Sequence, residues 1–230
     1  MSGVYHVLNR GIEKRKIFLD EQDYFRFIHD LFEFNNIESI NNVFYTFNKQ
    51  YNDVGRHYIE INGNNRKPRK LLVKIHAFCL MPNHYHLLLT PIVENGVALF
   101  MKKINGGYVK YFNEKRKRKG TLFEGKYKKI LVKNEPHFIH LPYYIHLNAL
   151  DLKFPEWRNK ELKNYREAMN FLENYRWSSH LDYIGKKNFP SVTQREFLMD
   201  FFGGHERYKE DVINFLKELD LGDIKDVCLE

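Results

Sequence analysis

Period-two alternation opens the chain. Val4, His6 and Leu8 alternate with Tyr5 and Val7, so Gly3 to Asn9 reads as a strand. The apolar spacing then becomes helical: Tyr24, Phe27, Ile28 and Leu31 share one stripe, and Asp20 or Glu21 is placed to open that helix. Residues 35–70 break both patterns. NNIESINN, NKQYND and NGNNRKPRK are rich in Asn and charge, which marks a polar insertion carrying a short hairpin at VFYTF and HYIEI.

From Leu71 the apolar density rises. LLVKIHAFCL predicts a strand, MPN a turn and HYHLLLTP a second strand, together an antiparallel hairpin apolar enough for the sheet centre. Residues 96–114 predict a helix with Val97, Phe100, Met101, Ile104, Tyr108 and Tyr111 on one stripe, and KRKRKG stops it at Gly120. GTLFEGKYKKILV supplies a loop and a short strand, and a further helix runs from Glu135 to about Leu150. Beyond Lys153, Pro155 and Pro190 separate weaker amphipathic segments, among them REFLMDFF and DVINFLKEL. The expected organisation is a main domain over 1–152, carrying the polar insertion, and a helical C-terminal extension over 153–230. Strand, helix, strand, strand, helix, strand predicts an α+β, ferredoxin-like (RRM-like) antiparallel sheet with helices on one face. RNA-recognition domains share that arrangement, so it does not assign a function.

Composition narrows the class. The 230 residues are 43% hydrophobic and 16% aromatic, with 19 Phe and 15 Tyr, which excludes a disordered chain and allows a core without disulfides. The net charge of +8 favours a polyanionic partner, because neutralising phosphates releases condensed counterions. Cys79 and Cys228 form no metal-binding or redox spacing, MSGVYHVLNRG lacks the apolar run of a signal peptide, and no stretch is long enough for a membrane span. A reduced, cytoplasmic setting is expected, with nucleic acid rather than membrane as partner.

The candidate chemistry starts at His84 and His86. Strand side chains alternate faces, so these two point to one side and their imidazoles can converge on one ion, while Tyr85 and Leu87 point to the other. Such a pair alone is more often two satisfied or solvent-facing histidines; its place directly after a hairpin turn favours the functional reading. On the later predicted helix, Tyr144 and Asn148 stand four apart and share a face, so a phenol and an amide oxygen can approach one metal-bound phosphate. Tyr143, Tyr108 and Tyr111 are rival phenols, and His140 and His146 read as surface polar residues. Lys115, Arg116, Lys117, Arg118 and Lys119 form a basic run, followed by Lys126, Lys128 and Lys129. With Arg10, Lys14, Arg15 and Lys16 after the first strand they make a candidate phosphate track, along which Phe123 or Tyr127 could stack an unpaired base. Trp177 reads as a buried anchor, and Ser178 and Ser179 have no evident basic partner in the sequence.

These blocks resemble a known family. KIHAFCLMPNHYHLLLTP is similar to the metal-binding segment of single-tyrosine His-hydrophobic-His transposases, and more specifically of the REP-associated tyrosine transposases, relatives of the insertion-sequence-200 type. YHVLNRG, FNEKRKRKGTLFEGKYKKILV, YYIHLNAL and YRWSSHLDYIG resemble further blocks of that family in the same order, over most of residues 3–185 outside the insertion. The resemblance implies a nucleophilic Tyr144 and Asn148 as third metal ligand after His84 and His86. It implies single-stranded DNA with hairpin or repeat structure as substrate, and a 5′-phosphotyrosine link. Ala149 stands where the family usually has Pro. Two imidazoles and one amide suit a divalent Mg²⁺ or Mn²⁺. Some relatives work as dimers, so the resemblance allows a homodimer. Two other readings remain open at this point: a non-catalytic RRM-like nucleic-acid-binding domain, and a metal hydrolase of small phosphoesters.

Overall fold

A computed structural model of the chain describes residues 3–38, 68–133 and 135–218. Most of the polar insertion, including the hairpin expected at VFYTF and HYIEI, lies outside them.

Four strands form one antiparallel sheet: β1 (Val4–Arg10), β2 (Val73–Met81), β3 (His84–Pro91) and β4 (Lys128–Val132), in the order β2-β3-β1-β4. Helices α1 (Glu21–Glu33) and α2 (Gly96–Lys115) make the two crossovers of the split βαβ pattern. Asp20 starts α1 by accepting the Asp23 amide at 3.1 Å. The apolar stripes of both helices pack with Val7, Tyr85, Leu87 and Leu89 on one face of the sheet. Tyr85 donates its hydroxyl to Asn105 Oδ1 on α2 at 2.6 Å.

The opposite face is also covered. Helix α3 (Glu135–Leu147) and the 3-10 turn Asn148–Leu152 pack there with Cys79, Met81 and Leu88. Around them lie α4 (Tyr165–Leu172), α5 (His180–Tyr183), α6 (Glu196–Phe202) and α7 (His205–Glu218). The fold is therefore the expected α+β sheet with α1 and α2 on one face, and a second helical layer on the other. The expected helix to Leu150 ends at Leu147, so Asn148 starts a tighter turn.

The expectation of a central hairpin holds for β3 only. Strand β2 is last in the sheet order, and its apolar density reflects a cover supplied by distant chain. The Leu80 amide donates to the Trp177 carbonyl at 2.9 Å, Ser179 N donates to Phe78 O at 3.0 Å, and Gln194 N donates to Ile75 O at 2.8 Å. These bonds satisfy an edge that would otherwise expose a row of unpaired amides and carbonyls. Trp177 stacks on Tyr24 at 4.6 Å and meets Phe25 edge-on at 5.0 Å, which fastens the C-terminal half to α1. Among the described residues no helix is long and apolar enough to cross a membrane.

Candidate active site

Cross-strand partners share a face of a sheet. Arg10 pairs with His84, and Leu8 with His86. Arg10, Leu8, His84 and His86 therefore share the face covered by α3. The turn that carries His84 is held firmly: Pro82 O accepts the amides of Ile17 and Phe18 at 2.7 and 3.0 Å, and Asn83 O accepts Gly11 N at 2.8 Å. Gly11 is required at this crossing, because a Cβ there would lie 2.3 Å from Arg15 O.

The His84 and His86 rings are 5.0 Å apart and close to perpendicular. Each Nδ1 has a partner. His84 Nδ1 donates to Asn83 Oδ1 at 2.6 Å, which puts the lone pair of the neutral ring on Nε2. His86 Nδ1 shares a hydrogen bond of 2.9 Å with Nε2 of His6, whose ring stacks on it at 5.1 Å. With the proton on His86 Nδ1, that ring too carries its lone pair on Nε2. Metal-ligating histidines are oriented in this way, the far nitrogen fixing tautomer and ring plane. The imidazole pair thus fits a divalent ion. Among the described residues no group of three or more His, Cys, Asp or Glu side chains could hold a metal ion.

Tyr144 comes from α3 on this same face. It is fully buried, and its ring meets His86 edge-on at 6.0 Å and His6 at 6.3 Å. Asn148 lies one turn on, with Nδ2 donating to Tyr144 O at 2.8 Å and Oδ1 accepting from Arg158 Nη2 at 2.7 Å. These two contacts fix which end of the amide is oxygen. The structure brings His84, His86 and Tyr144 to one face within a single chain, and Asn148 beside Tyr144.

Residues 47–148 match the family described as "Transposase IS200 like". The match is to a segment of less than half of the chain. That segment includes His84, His86 and Tyr144, and it ends at Asn148. A solved structure titled "Structure of the REP associates tyrosine transposase bound to a REP hairpin" is similar at 14% identity and a TM-score of 0.45. The alignment covers 83% of this chain and 84% of that one. No curated protein matches the chain.

The rival phenols are held elsewhere. Tyr143 stacks on Tyr208 at 5.1 Å with its hydroxyl toward Asp211, and burial together with that carboxylate pushes its pKa far up. Tyr108 donates to Ile17 O at 2.6 Å and Tyr111 to Asp23 at 2.9 Å, both on the opposite side of the sheet. Burial, with Asp23 added, raises both.

Two sequence expectations need correction. His146 is buried rather than a surface residue: Nδ1 hydrogen-bonds Tyr208 Oη at 2.5 Å and Nε2 hydrogen-bonds Ser179 Oγ at 2.7 Å. Ser179 therefore has a basic partner after all. The pair is sealed in the core, and burial holds His146 well below the usual histidine range, so it joins α3 to α7 rather than facing substrate.

The basic residues separate into groups. Lys115 Nζ contacts Asp23 and Asp20 at 2.7 and 2.8 Å, and Arg116 Nη2 contacts the same carboxyls at 2.9 and 2.6 Å, tying the end of α2 to the start of α1. Arg118 donates to Asn113 Oδ1 and Thr121 O, closing the loop after α2. Lys129 pairs across from Val7 and sits over the Tyr5 ring on the α1 and α2 face. Lys128 pairs with Leu8 and shares the face of His86. Lys117, Lys119 and Lys126 are exposed. Arg10, opposite His84, keeps a buried Nε with no hydrogen-bond partner among the described residues.

Sequence reasoning passed over His6, Asp151 and Arg158. For His6 the signal was present: it alternates with Val4 and Leu8 on the face opposite Tyr5, so a third imidazole on the site face was readable once β1 is placed beside β3. Asp151 and Arg158 carry no local signal.

Proposed function

We propose that the protein is a metal-dependent single-stranded DNA endonuclease and strand transferase, acting through Tyr144 at hairpin or repeat DNA. The observation that carries this reading is the Tyr144 ring 6.0 Å from that of His86, on the face that also presents His84. The IS200-like match over the same residues supports it.

His84 and His86 would hold a divalent ion, with Asn148 Oδ1 as the protein's oxygen donor. An amide oxygen has two lone pairs, so it can accept from Arg158 and still face an ion. A bound Mn²⁺ or Mg²⁺ supplies Lewis acidity to the scissile phosphate. Tyr144 Oη attacks phosphorus in line, the P–O3′ bond breaks, and the phenol's proton is lost as the 3′-hydroxyl forms. The 5′-phosphate stays on Tyr144 as a diester, so a second 3′-hydroxyl can displace the phenol and rejoin DNA without ATP. Arg10, with its unmatched buried donor beside His84, binds a phosphate oxygen. Lys128 and the exposed Lys117, Lys119 and Lys126 track the backbone. The catalytic unit is residues 1–152, extended by 153–230, and the protein works in the cytoplasm at the nucleoid.

The test is a denaturant-resistant protein–DNA adduct formed from single-stranded hairpin DNA with Mn²⁺. Wild type is expected to form it, and Tyr144→Phe to lose it while still binding DNA. An adduct with Tyr144→Phe would overturn the nucleophile assignment, and no adduct with wild type would overturn the activity.

A further inference from the structure

Arg158 contacts both Tyr144 and Asn148. It lies in the 3-10 turn Pro155–Asn159, beyond the IS200-like segment, with about a quarter of its side chain exposed. Asp151 grips its inner edge: Nε lies 2.9 and 3.1 Å from the two carboxylate oxygens, and Nη2 lies 2.6 Å from Oδ2. Asp151 is itself steadied by Trp157 Nε1 at 2.7 Å. From that anchor, Nη2 donates to Asn148 Oδ1 at 2.7 Å and Nη1 to Tyr144 Oη at 3.4 Å. The guanidinium also lies over the Trp157 ring at 5.0 Å and near the Tyr144 ring at 5.5 Å.

A planar fork held at one edge by a carboxylate presents its remaining N–H groups in fixed directions. Having no acceptor, it also forces the Tyr144 proton to point away from it. We propose that Arg158, clamped by Asp151, is a positioning residue that sets the Tyr144 phenol and the Asn148 amide in register for cleavage. This rests on the function proposed above. The C-terminal extension would then complete the site rather than only cover the sheet.

The experiment compares Arg158→Gln, Arg158→Lys and Asp151→Asn with wild type. The first readout is the single-turnover rate of adduct formation at saturating hairpin DNA and Mn²⁺, beside the DNA dissociation constant. Loss of register is expected to slow Arg158→Gln by about 100-fold, with DNA affinity within about threefold. Arg158→Lys stays at least about tenfold slow, because a point charge does not replace a fork. The second readout needs neither metal nor DNA: the ¹⁹F resonance of fluorotyrosine placed at position 144 shifts or broadens in Arg158→Gln and Asp151→Asn. A rate within threefold of wild type, a rate loss matched by an equal loss of affinity, or an unmoved resonance would each overturn the proposal. If Arg158→Gln melts early, the same readouts on Arg158→Lys and Asp151→Asn decide. If wild type forms no adduct, the activity falls while the resonance still tests the clamp.

Discussion

Replacing Lys115 by Ala separates a structural cation from a DNA-binding one. Lys115 Nζ sits 2.7 Å from Asp23, which is fully buried, and 2.8 Å from Asp20, which is 43% exposed. The contact to the buried carboxylate is a charge-assisted hydrogen bond of about 1.5–3 kcal/mol. The partly exposed Asp20 pair adds at most about 1 kcal/mol. Arg116, Tyr111 and the Leu19 amide remain on Asp23, so its carboxylate is not stranded. The net expectation is a loss of about 2–3 kcal/mol, or about 4–12 °C in Tm for a chain of this size. The salt slope of single-stranded DNA binding should stay the same. Lys117→Ala with Lys119→Ala should do the reverse: a stability change within about 0.5 kcal/mol, and a slope shallower by about 1.4 if each lysine meets one phosphate. Thermal melts and binding isotherms from 50 to 200 mM salt read both. If Lys115→Ala melts like wild type and flattens the slope, the division of the basic run is wrong.

Two further outcomes follow from buried imidazoles. Burial, the largest influence, holds His180 at about 4, below its unfolded value of about 6.5. The unfolded chain therefore takes up the proton first, and the stability His180 contributes above pH 6.5 is lost as pH falls toward 4, by about 3 kcal/mol. Urea midpoints from pH 7 to 4.5 should show that slope in wild type and a flatter one in His180→Leu; equal slopes refute it. His6→Phe keeps the ring volume but removes the partner of His86 Nδ1. Manganese affinity by calorimetry should fall about 10–100-fold, and an unchanged affinity would mean His6 does not orient His86.

What was legible in the sequence followed periodicity. The strand alternation around His84 and His86 gave their common face, and the 96–114 stripe gave α2 to within a residue of its observed end at Lys115. Four-residue spacing put Tyr144 and Asn148 together, although the helix tightens at Asn148. Contacts across long separations were not legible. Lys115 lies 92 residues from Asp23, so the basic run reads as one solvated stripe until α2 is laid on α1. Arg158 is ten residues from Asn148, on a different turn, and nothing in PEWRN marks it. His146 looks polar in sequence because its partners, Ser179 and Tyr208, lie 33 and 62 residues away.

The sheet acts as a partition. One side carries the two crossover helices, sewn together by Asp20, Asp23, Lys115 and Arg116, and those charges stabilise the fold without facing the imidazoles. The other side carries His6, His84, His86 and Tyr144, with hydrogen-bond partners for the last three arriving from β1, the β2–β3 turn and the 3-10 turn Pro155–Asn159. A strand's two-residue period makes this division automatic: moving a histidine by one position would drop it into the α1 and α2 core. The common facing of these side chains therefore depends on register more than on any single contact. Strand register is held in turn by the covered β2 edge and by the turn clamped at Pro82 and Asn83. A lesion in the C-terminal cover, far from Tyr144 in sequence, is expected to disturb the facing of His84 and His86 through that register.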